Sequence, residues 1–445
     1  MNNNKEPQPH HVVIVGGGAG GLELATKLGD SLGKRGVARI TLVDANMTHL
    51  WKPLLHEVAA GTLNSYADEL NYLAQAHWHH FHFWLGRVDY IDRVKKEVST
   101  EPRFDENGEE YIPRRTLTYD TLIIAVGSVS NDFGIPGVKE YCHFIDHRKD
   151  ADQFHQHLLR SCFTAQAQEE NIQEGQLNIA IAGAGATGVE LAAELHTSTR
   201  ELVEYGLDRI MPEKDIKITI IEANERILPG LPEHLSAEIT QQLRDIGIDI
   251  LTGERITEAA ADGFRTQSGK FIHAGIKVWA AGIKAPDFLA RIEGLEVNRS
   301  NQLVVETTLQ TTNDQNIFAF GDCAACPMAD GNGNVPPRAQ AAHQQASLLV
   351  KTMRCRLAGR SLPRYRYVDY GSLINMSRYT TVGNLMGSVA KLWSTNVFVE
   401  GYFARLVYQS LYKMHQLALH GFIRVAANTL ANLLTQRGKP RMKLH

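Results

Sequence analysis

The chain has 445 residues, 43% of them hydrophobic, and a formal net charge of −3; it is long enough for two or three domains with true cores, and it lacks the basic field that nucleic acid would require. Its five cysteines are odd in number and show no framework spacing, which excludes a disulfide-stapled scaffold and points to a reducing compartment. No stretch reaches the ~20 apolar residues that span a bilayer, and the polar opening MNNNKEPQPHH has no signal-like apolar core, so the protein is expected on the cytoplasmic side.

Residues 11–21 read HVVIVGGGAGG, an apolar β-branched run followed by Gly16, Gly18 and Gly21 on the G-x-G-x-x-G spacing and then a helical pattern over 22–28. This is a buried strand, a tight turn and a helix whose positive end receives a pyrophosphate. The next strand begins at Arg39 and closes on Asp44, near the ~20-residue interval at which an acid holds a ribose hydroxyl. Residues 81–88 read as a strand, residues 94–100 and 111–117 as a hairpin about the DENG turn, and residues 119–128 as a buried strand closing on Gly127. A connecting helix is expected over 150–170.

The fingerprint then recurs. Residues 178–188 read NIAIAGAGATG, with Gly183, Gly185 and Gly188 on the same spacing, and residues 217–222 form a strand ending in Glu222. Glu222 lies further from its glycines than the usual interval, so a helix extension and loop are expected over 196–215. An acid at each ribose favours NAD over NADP, because a carboxylate repels a 2′-phosphate. The second unit ends on KVWAAGI, where Gly282 takes the place that Gly127 holds in the first. A later strand over 316–324 closes on Gly321 and Asp322 outside both repeats, which makes the first domain discontinuous and the second an insertion in it. Pro336 and Pro337 precede a helix running to about residue 357. The fold class is therefore α/β, with two Rossmann-like dinucleotide-binding domains, the second inserted in the first, plus a C-terminal amphipathic helical region for membrane binding.

These residues together resemble the two-dinucleotide flavoproteins, and more closely the type II NADH:quinone oxidoreductases. The resemblance implies FAD, bound non-covalently, at Gly16, Gly18, Gly21 and Asp44, and NADH as substrate at Gly183, Gly185, Gly188 and Glu222. It also implies an adenine contact at the Val88 backbone, a ribityl contact at Asp322 and turns at Gly127, Gly282 and Gly321. The domains run 1–145 (FAD), 146–290 (NADH), 291–390 (FAD again) and 391–445 (membrane helices). The motif GATGVELAAEL over 185–195 places Glu190 near flavin and nicotinamide, and AQAAHQ over 339–344 resembles the quinone-side signature, with Gln340 and Gln344 one helical turn apart. Glu190, Gln340 and Gln344 are the candidate catalytic residues, and a helix beginning near Arg338 would steady negative charge on the flavin.

The implied activity is a respiratory NADH dehydrogenase that transfers a hydride from NADH to FAD and two electrons to a membrane quinone, without proton pumping. Residues 49–58, HLWKPLLHEV, hold no cysteine where flavin disulfide reductases carry a pair, so no dithiol relay is expected there. Cys323 and Cys326 form a C-x-x-C open to a redox, metal or packing role; no metal site is assigned. The alternative is a sulfide:quinone-type enzyme, or another FAD-dependent pyridine-nucleotide reductase, which would need cysteines at the flavin. From Gly401 onward the chain carries basic residues and no acidic ones, on two amphipathic helical patterns. They suit an anionic bilayer surface, or alternatively closure of the core or a homodimer. The expectation is a peripheral protein on the cytoplasmic face of the inner (plasma) membrane.

Overall fold

The computed structural model describes residues 8–64, 69–377, 380–385 and 397–400, and in the tail residues 416, 419, 425–427 and 429. The expected amphipathic region beyond Gly401 lies outside the described residues apart from those positions, of which Leu419 and Val425 are buried. Among the described residues, no helix is long and apolar enough to cross a membrane.

Two compact units interleave along the chain. One comprises Met1–Trp51, Glu69–Val129 and Ile283–Asp369; the other comprises Lys52–Asp68, Ser130–Gly282 and Tyr370–His445. The chain passes between the units after residues 129, 282 and 369, and residues 52–68 and those from Tyr370 group with the second unit; packing gives the reason. Helix Leu55–Ala60 lies on helices Arg148–Ala167 and Ala186–Glu204, and strand Gly371–Met376 lies on the latter.

The first unit is built on a six-stranded sheet in the order Gln310–Thr311, Asp314–Ala319, Thr121–Ile124, His10–Val15, Ala38–Asp44, His82–Leu85. Its strands are parallel apart from the outermost hairpin. Val12, Val13 and Ile14 are fully buried, as a central strand covered on both faces requires. The neighbours of His10–Val15 both follow it in the chain and lie on opposite sides, so a crevice opens beyond the carboxyl ends of the strands. The expected 81–88 strand is interrupted: His82–Leu85 stays in this sheet, and Val88–Asp92 joins Glu97–Thr100 and Arg115–Thr118 in a small antiparallel sheet. The break falls at Gly86, where any β-carbon would press on Thr100. The hairpin about the DENG turn is likewise divided, its tip formed by Arg103–Phe104 and Glu110–Ile112.

The second unit repeats the pattern with a parallel four-stranded sheet in the order Asp249–Leu251, Ile218–Ile221, Ile179–Ala182, Ile276–Trp279. The registers correspond: Val15 stands beside Val43 and Ile124, and Ala182 beside Ile221 and Trp279. The long interval before Glu222 is filled by a helix that continues to Glu204 and by the short helix Pro212–Asp215.

In the first unit, helix Ala19–Leu28 packs along helix Ala339–Leu357. A buried carboxylate joins them: Glu23, with only 5% of its side chain exposed, accepts from His343 Nδ1 and from Lys27 Nζ. Burial by itself would raise the pKa of Glu23, but the bonds and charges of His343 and Lys27 outweigh it and hold the carboxyl below its ordinary value. A carboxyl depressed in the folded state stabilises above its unfolded pKa, and that contribution is lost as pH falls through the folded pKa. Replacing Glu23→Ala should therefore cost about 1–3 kcal/mol in urea unfolding at neutral pH. The gap between parent and variant should close as the medium is acidified below the carboxylate range.

Candidate functional site

The first Gly turn divides its work among three positions. Gly16 has φ of +102°, and a β-carbon there would press on the Ala125 backbone; one at Gly21 would strike the Gly16 carbonyl; one at Gly18 would meet nothing within 4 Å. The middle glycine thus leaves open space in front of the helix end, where a phosphate approaches the backbone. Asp44 fixes this turn: Oδ2 accepts from the Gly17 amide at 2.7 Å, and Oδ1 accepts from the Asn46 amide at 2.8 Å. Tyr72, buried, donates to the Gly17 carbonyl at 2.7 Å.

The second turn has the same construction. Gly183 has φ of +99°, Gly188 packs on the Gly183 carbonyl, and Gly185 again faces open space. Glu222 Oε2 accepts from the Ala184 amide at 2.7 Å, and Oε1 accepts from the Asn224 amide at 2.9 Å. The acid that looked too distant in sequence makes the contact that Asp44 makes in the first turn. The intervening residues leave and return as helix without disturbing the strand ends.

Around the first turn, Val88 is buried and paired with Thr100. Gly127 and Gly321 adopt φ of +69° and +72° at the ends of their strands. The Gly321 amide donates to Gln345 Oε1 at 2.8 Å, and Asp322 Oδ2 accepts from Ser128 Oγ at 2.8 Å. A cleft of about 210 Å³ lies beside them, lined by Asp322, Lys284, Ser300, Gln302, Pro336 and Pro337. In the second unit Gly282, with φ of +68°, lies against the Phe133 ring.

The two candidate glutamines lie on the first turns of helix Ala339–Leu357, and both reach the segment that precedes Tyr370. Gln340 donates to Asp369 at 3.2 Å, beside the Arg338–Asp369 ion pair at 3.1 Å. Gln344 brackets Val368, donating to its carbonyl at 2.7 Å and accepting from its amide at 3.1 Å, and Tyr365 donates to the same amide oxygen at 3.3 Å. The side chain of Gln344 is thereby committed to holding residues 365–368.

Glu190 belongs to the second unit, 7% exposed on helix Ala186–Glu204. Burial, followed by the charges of Glu57 and Glu194, pushes its pKa up to about 8 against the opposing hydrogen bond from the Asn375 amide at 3.0 Å. Its carboxyl is therefore held mostly in the protonated form at neutral pH. His56 Nδ1 stands 3.8 Å from Glu190 Oε2.

Cys323 and Cys326 are both buried, and burial raises their thiols to about 12. Cys323 Sγ donates to the Phe320 carbonyl at 3.2 Å. Both thiols pack as neutral groups, and among the described residues no His, Cys, Asp or Glu cluster could hold a metal. Sequence reading missed Tyr72, Gln345, His56 and Asn375. Only His56 carried a signal, lying in the same HLWKPLLHEV stretch that lacks the cysteine pair.

Residues 10–346 match the family described as pyridine nucleotide-disulphide oxidoreductase. The chain is 43% identical over 448 residues to a type II NADH:quinone oxidoreductase of Haemophilus influenzae, across 98% of this chain and 100% of that one. It is 30% identical over 381 residues to a type II NADH:quinone oxidoreductase of Staphylococcus aureus, across 84% and 90% of the two chains. The solved structure of NDH2 from Plasmodium falciparum in complex with NADH shares the fold, with a TM-score of 0.82 at 19% identity over 98% of this chain and 100% of that one.

The environment of Glu190 has a direct spectroscopic consequence. Infrared spectroscopy should show a carboxylic-acid C=O band that is absent from Glu190→Gln and disappears with a midpoint near pH 8.

Proposed function

Because the chain belongs to the pyridine nucleotide-disulphide oxidoreductase family and, within it, to the type II NADH:quinone oxidoreductases, we propose that it oxidises NADH through bound FAD and reduces a membrane quinone, without pumping protons. The observation that carries this reading is the doubled carboxylate-closed Gly turn, Asp44 on Gly17 and Glu222 on Ala184, in a chain so similar to named members of that group. The cysteine-dependent alternative is disfavoured by the buried, neutral thiols of Cys323 and Cys326.

The residues of the first unit fit FAD. Gly18 leaves room for a pyrophosphate, and three buried polar atoms beside Gly86 and Val88 have no hydrogen-bond partner among the described residues: Thr100 Oγ1, Trp84 Nε1 and Arg115 Nε. Buried donors and acceptors left unpaired are costly, and this supports binding of a polar group, such as the adenine end of FAD, beside them. Gly16, Gly18, Gly21 and Asp44 would hold the pyrophosphate and ribose, and Asp322 the ribityl chain beside the cleft. FAD, when bound, supplies the two-electron chemistry that accepts hydride and reduces quinone. In the second unit, Gly183, Gly185, Gly188 and Glu222 would hold NADH, with Glu222 facing the ribose and repelling a 2′-phosphate.

Glu190 would keep a proton in a dry environment and release it to the reduced quinone. Gln340 would meet the quinone ring, and Gln344 would hold residues 365–368 in place for it. Arg338 and the positive end of helix Ala339–Leu357 would favour negative charge at the flavin. The basic, acid-free sequence from Gly401 would bring the protein to the anionic cytoplasmic face of the inner membrane, where long-tailed quinones are found.

Purified protein should be yellow, and acid precipitation should release FAD into the supernatant; colour retained in the pellet would contradict non-covalent binding. NADH should bleach the colour anaerobically and quinone should restore it. Gln340→Leu or Gln344→Leu should slow the quinone step about tenfold, equivalent to ~1.4 kcal/mol of barrier, with bleaching by NADH nearly intact. Equal losses in both steps would assign the glutamines to the fold. Glu222→Gln should narrow the preference for NADH over NADPH, and a parent enzyme that uses both equally would remove that role from Glu222.

A further inference from the structure

Helix Leu55–Ala60 places His56 in an unusual position. The ring is 2% exposed, between carboxyls from two helices: Nδ1 is 3.8 Å from Glu190 Oε2, and Nε2 is 3.9 Å from Glu57 Oε1. Glu190 is buried, whereas the Glu57 side chain keeps 20% of its surface exposed. The ring therefore bridges an interior acid and an acid at the solvent edge.

Two further observations give the bridge a direction. The buried Nε2 has no hydrogen-bond partner among the described residues. The ring bonds the Pro53 backbone, so that bond falls to Nδ1, which sets Nδ1–H as the resting tautomer and leaves the lone pair on Nε2. A side chain that served only to pack would avoid this cost, since an apolar residue of similar volume leaves nothing unpaired. Around the ring stand Glu57 on its own helix and Glu190 from helix Ala186–Glu204, and the charge of Glu194 acts on Glu190. His155 of helix Arg148–Ala167 lies against Gly61, and the Asn375 amide of strand Gly371–Met376 reaches Glu190. Glu194 is engaged by Thr62 Oγ1 at 3.1 Å, and Glu57, 3.9 Å from Nε2 with a fifth of its side chain exposed, is the outer partner of His56.

We propose that His56 is the relay through which Glu190 exchanges its proton with solvent, by way of Glu57. This rests on the reading of Glu190 as a proton donor in quinone reduction. Converting quinone to quinol takes two electrons and two protons. The hydride of NADH accounts for both electrons and one proton, so each turnover draws one more proton from solvent. Glu57, a carboxylate at rest, takes up a proton from water at the solvent edge. When Glu190 has given up its proton, the Nδ1–H bond of His56 breaks and an O–H bond forms on Glu190, while the new O–H bond of Glu57 breaks and its proton passes to Nε2; Glu57 is again a carboxylate, and a half-turn of the ring restores the starting tautomer. Burial holds the imidazole down to about 4, so the ring passes the proton while remaining neutral, taking at one nitrogen as it releases at the other.

The test measures proton access to Glu190 directly. After mixing into D2O, the infrared C=O band of Glu190 shifts as its proton exchanges. In His56→Gln this exchange should slow about tenfold or more, and the quinone half-reaction should slow about 10²-fold, the low end for a positioned acid–base group. Flavin content and bleaching by NADH should remain at parent levels. Glu57→Gln, at the outer end of the relay, should slow exchange in the same way and decides the matter if His56→Gln does not fold. Parent-like exchange in either folded variant overturns the relay. Slowed exchange in His56→Gln combined with parent-like quinone reduction in Glu190→Gln would instead uphold the relay and refute the role of Glu190 as donor.

Discussion

Both halves of this molecule depend on one repeated contact, a carboxylate at the end of the second strand of each sheet accepting the amide of the residue after the first turn glycine. Asp44 does this for Gly17, and Glu222 for Ala184. The bond ties the tip of one strand to the turn that leaves its neighbour. It aligns the carboxyl ends of the strands and holds the helix end open in front of Gly18 and Gly185. A turn forced into a left-handed conformation at its first glycine is costly to keep ordered; the charge-assisted bond to a carboxylate offsets that cost. The rest of each sheet supplies the rigid frame from which the acid reaches.

Burial acts on the interior carboxyls in opposite ways, according to what surrounds them. Glu23 is buried between a histidine and a lysine, and its carboxylate is held in the ionised form. Glu190 is equally buried, but its neighbours are Glu57, Glu194 and a neutral imidazole, and its carboxyl is held in the protonated form. The first is a structural tie between two helices of one unit; the second is a carboxyl kept neutral by its surroundings. Desolvation is common to both, and the sign of the nearest charge selects between them. The helix signature shows the same separation of roles: Gln344 and Gln345 spend their amides on Val368 and Gly321, while Gln340 reaches the Arg338–Asp369 pair.

Much of the architecture was legible because it rests on local rules. The two apolar runs, the glycine spacings and the acids at the strand ends are dictated by turn geometry and by burial on both faces of a parallel sheet, and each is written within a few tens of residues. The 81–88 strand is interrupted at Gly86, where Thr100, which lies beyond the local window, packs where a side chain would be. The long interval before Glu222 looked like a defect because helix length, here extending to Glu204, has no bearing on where a strand ends.

By itself, the sequence determined the pair of fingerprints, the class of cofactor they serve and the absence of a cysteine pair at residues 49–58, which follow from residue type and spacing that the chain carries whatever its partners in space. The signature that carries Gln340 and Gln344 was legible through its resemblance to the family motif. Only the tertiary structure decided that residues 52–68 and the strand from Gly371 pack with the second unit, that Asn375 and His56 flank Glu190, that Glu23 grips His343, and that Gln344 is bound to Val368. Each of these joins positions far apart in the chain, and their protonation and hydrogen bonding depend on which groups share a buried volume, a property no single stretch of sequence contains.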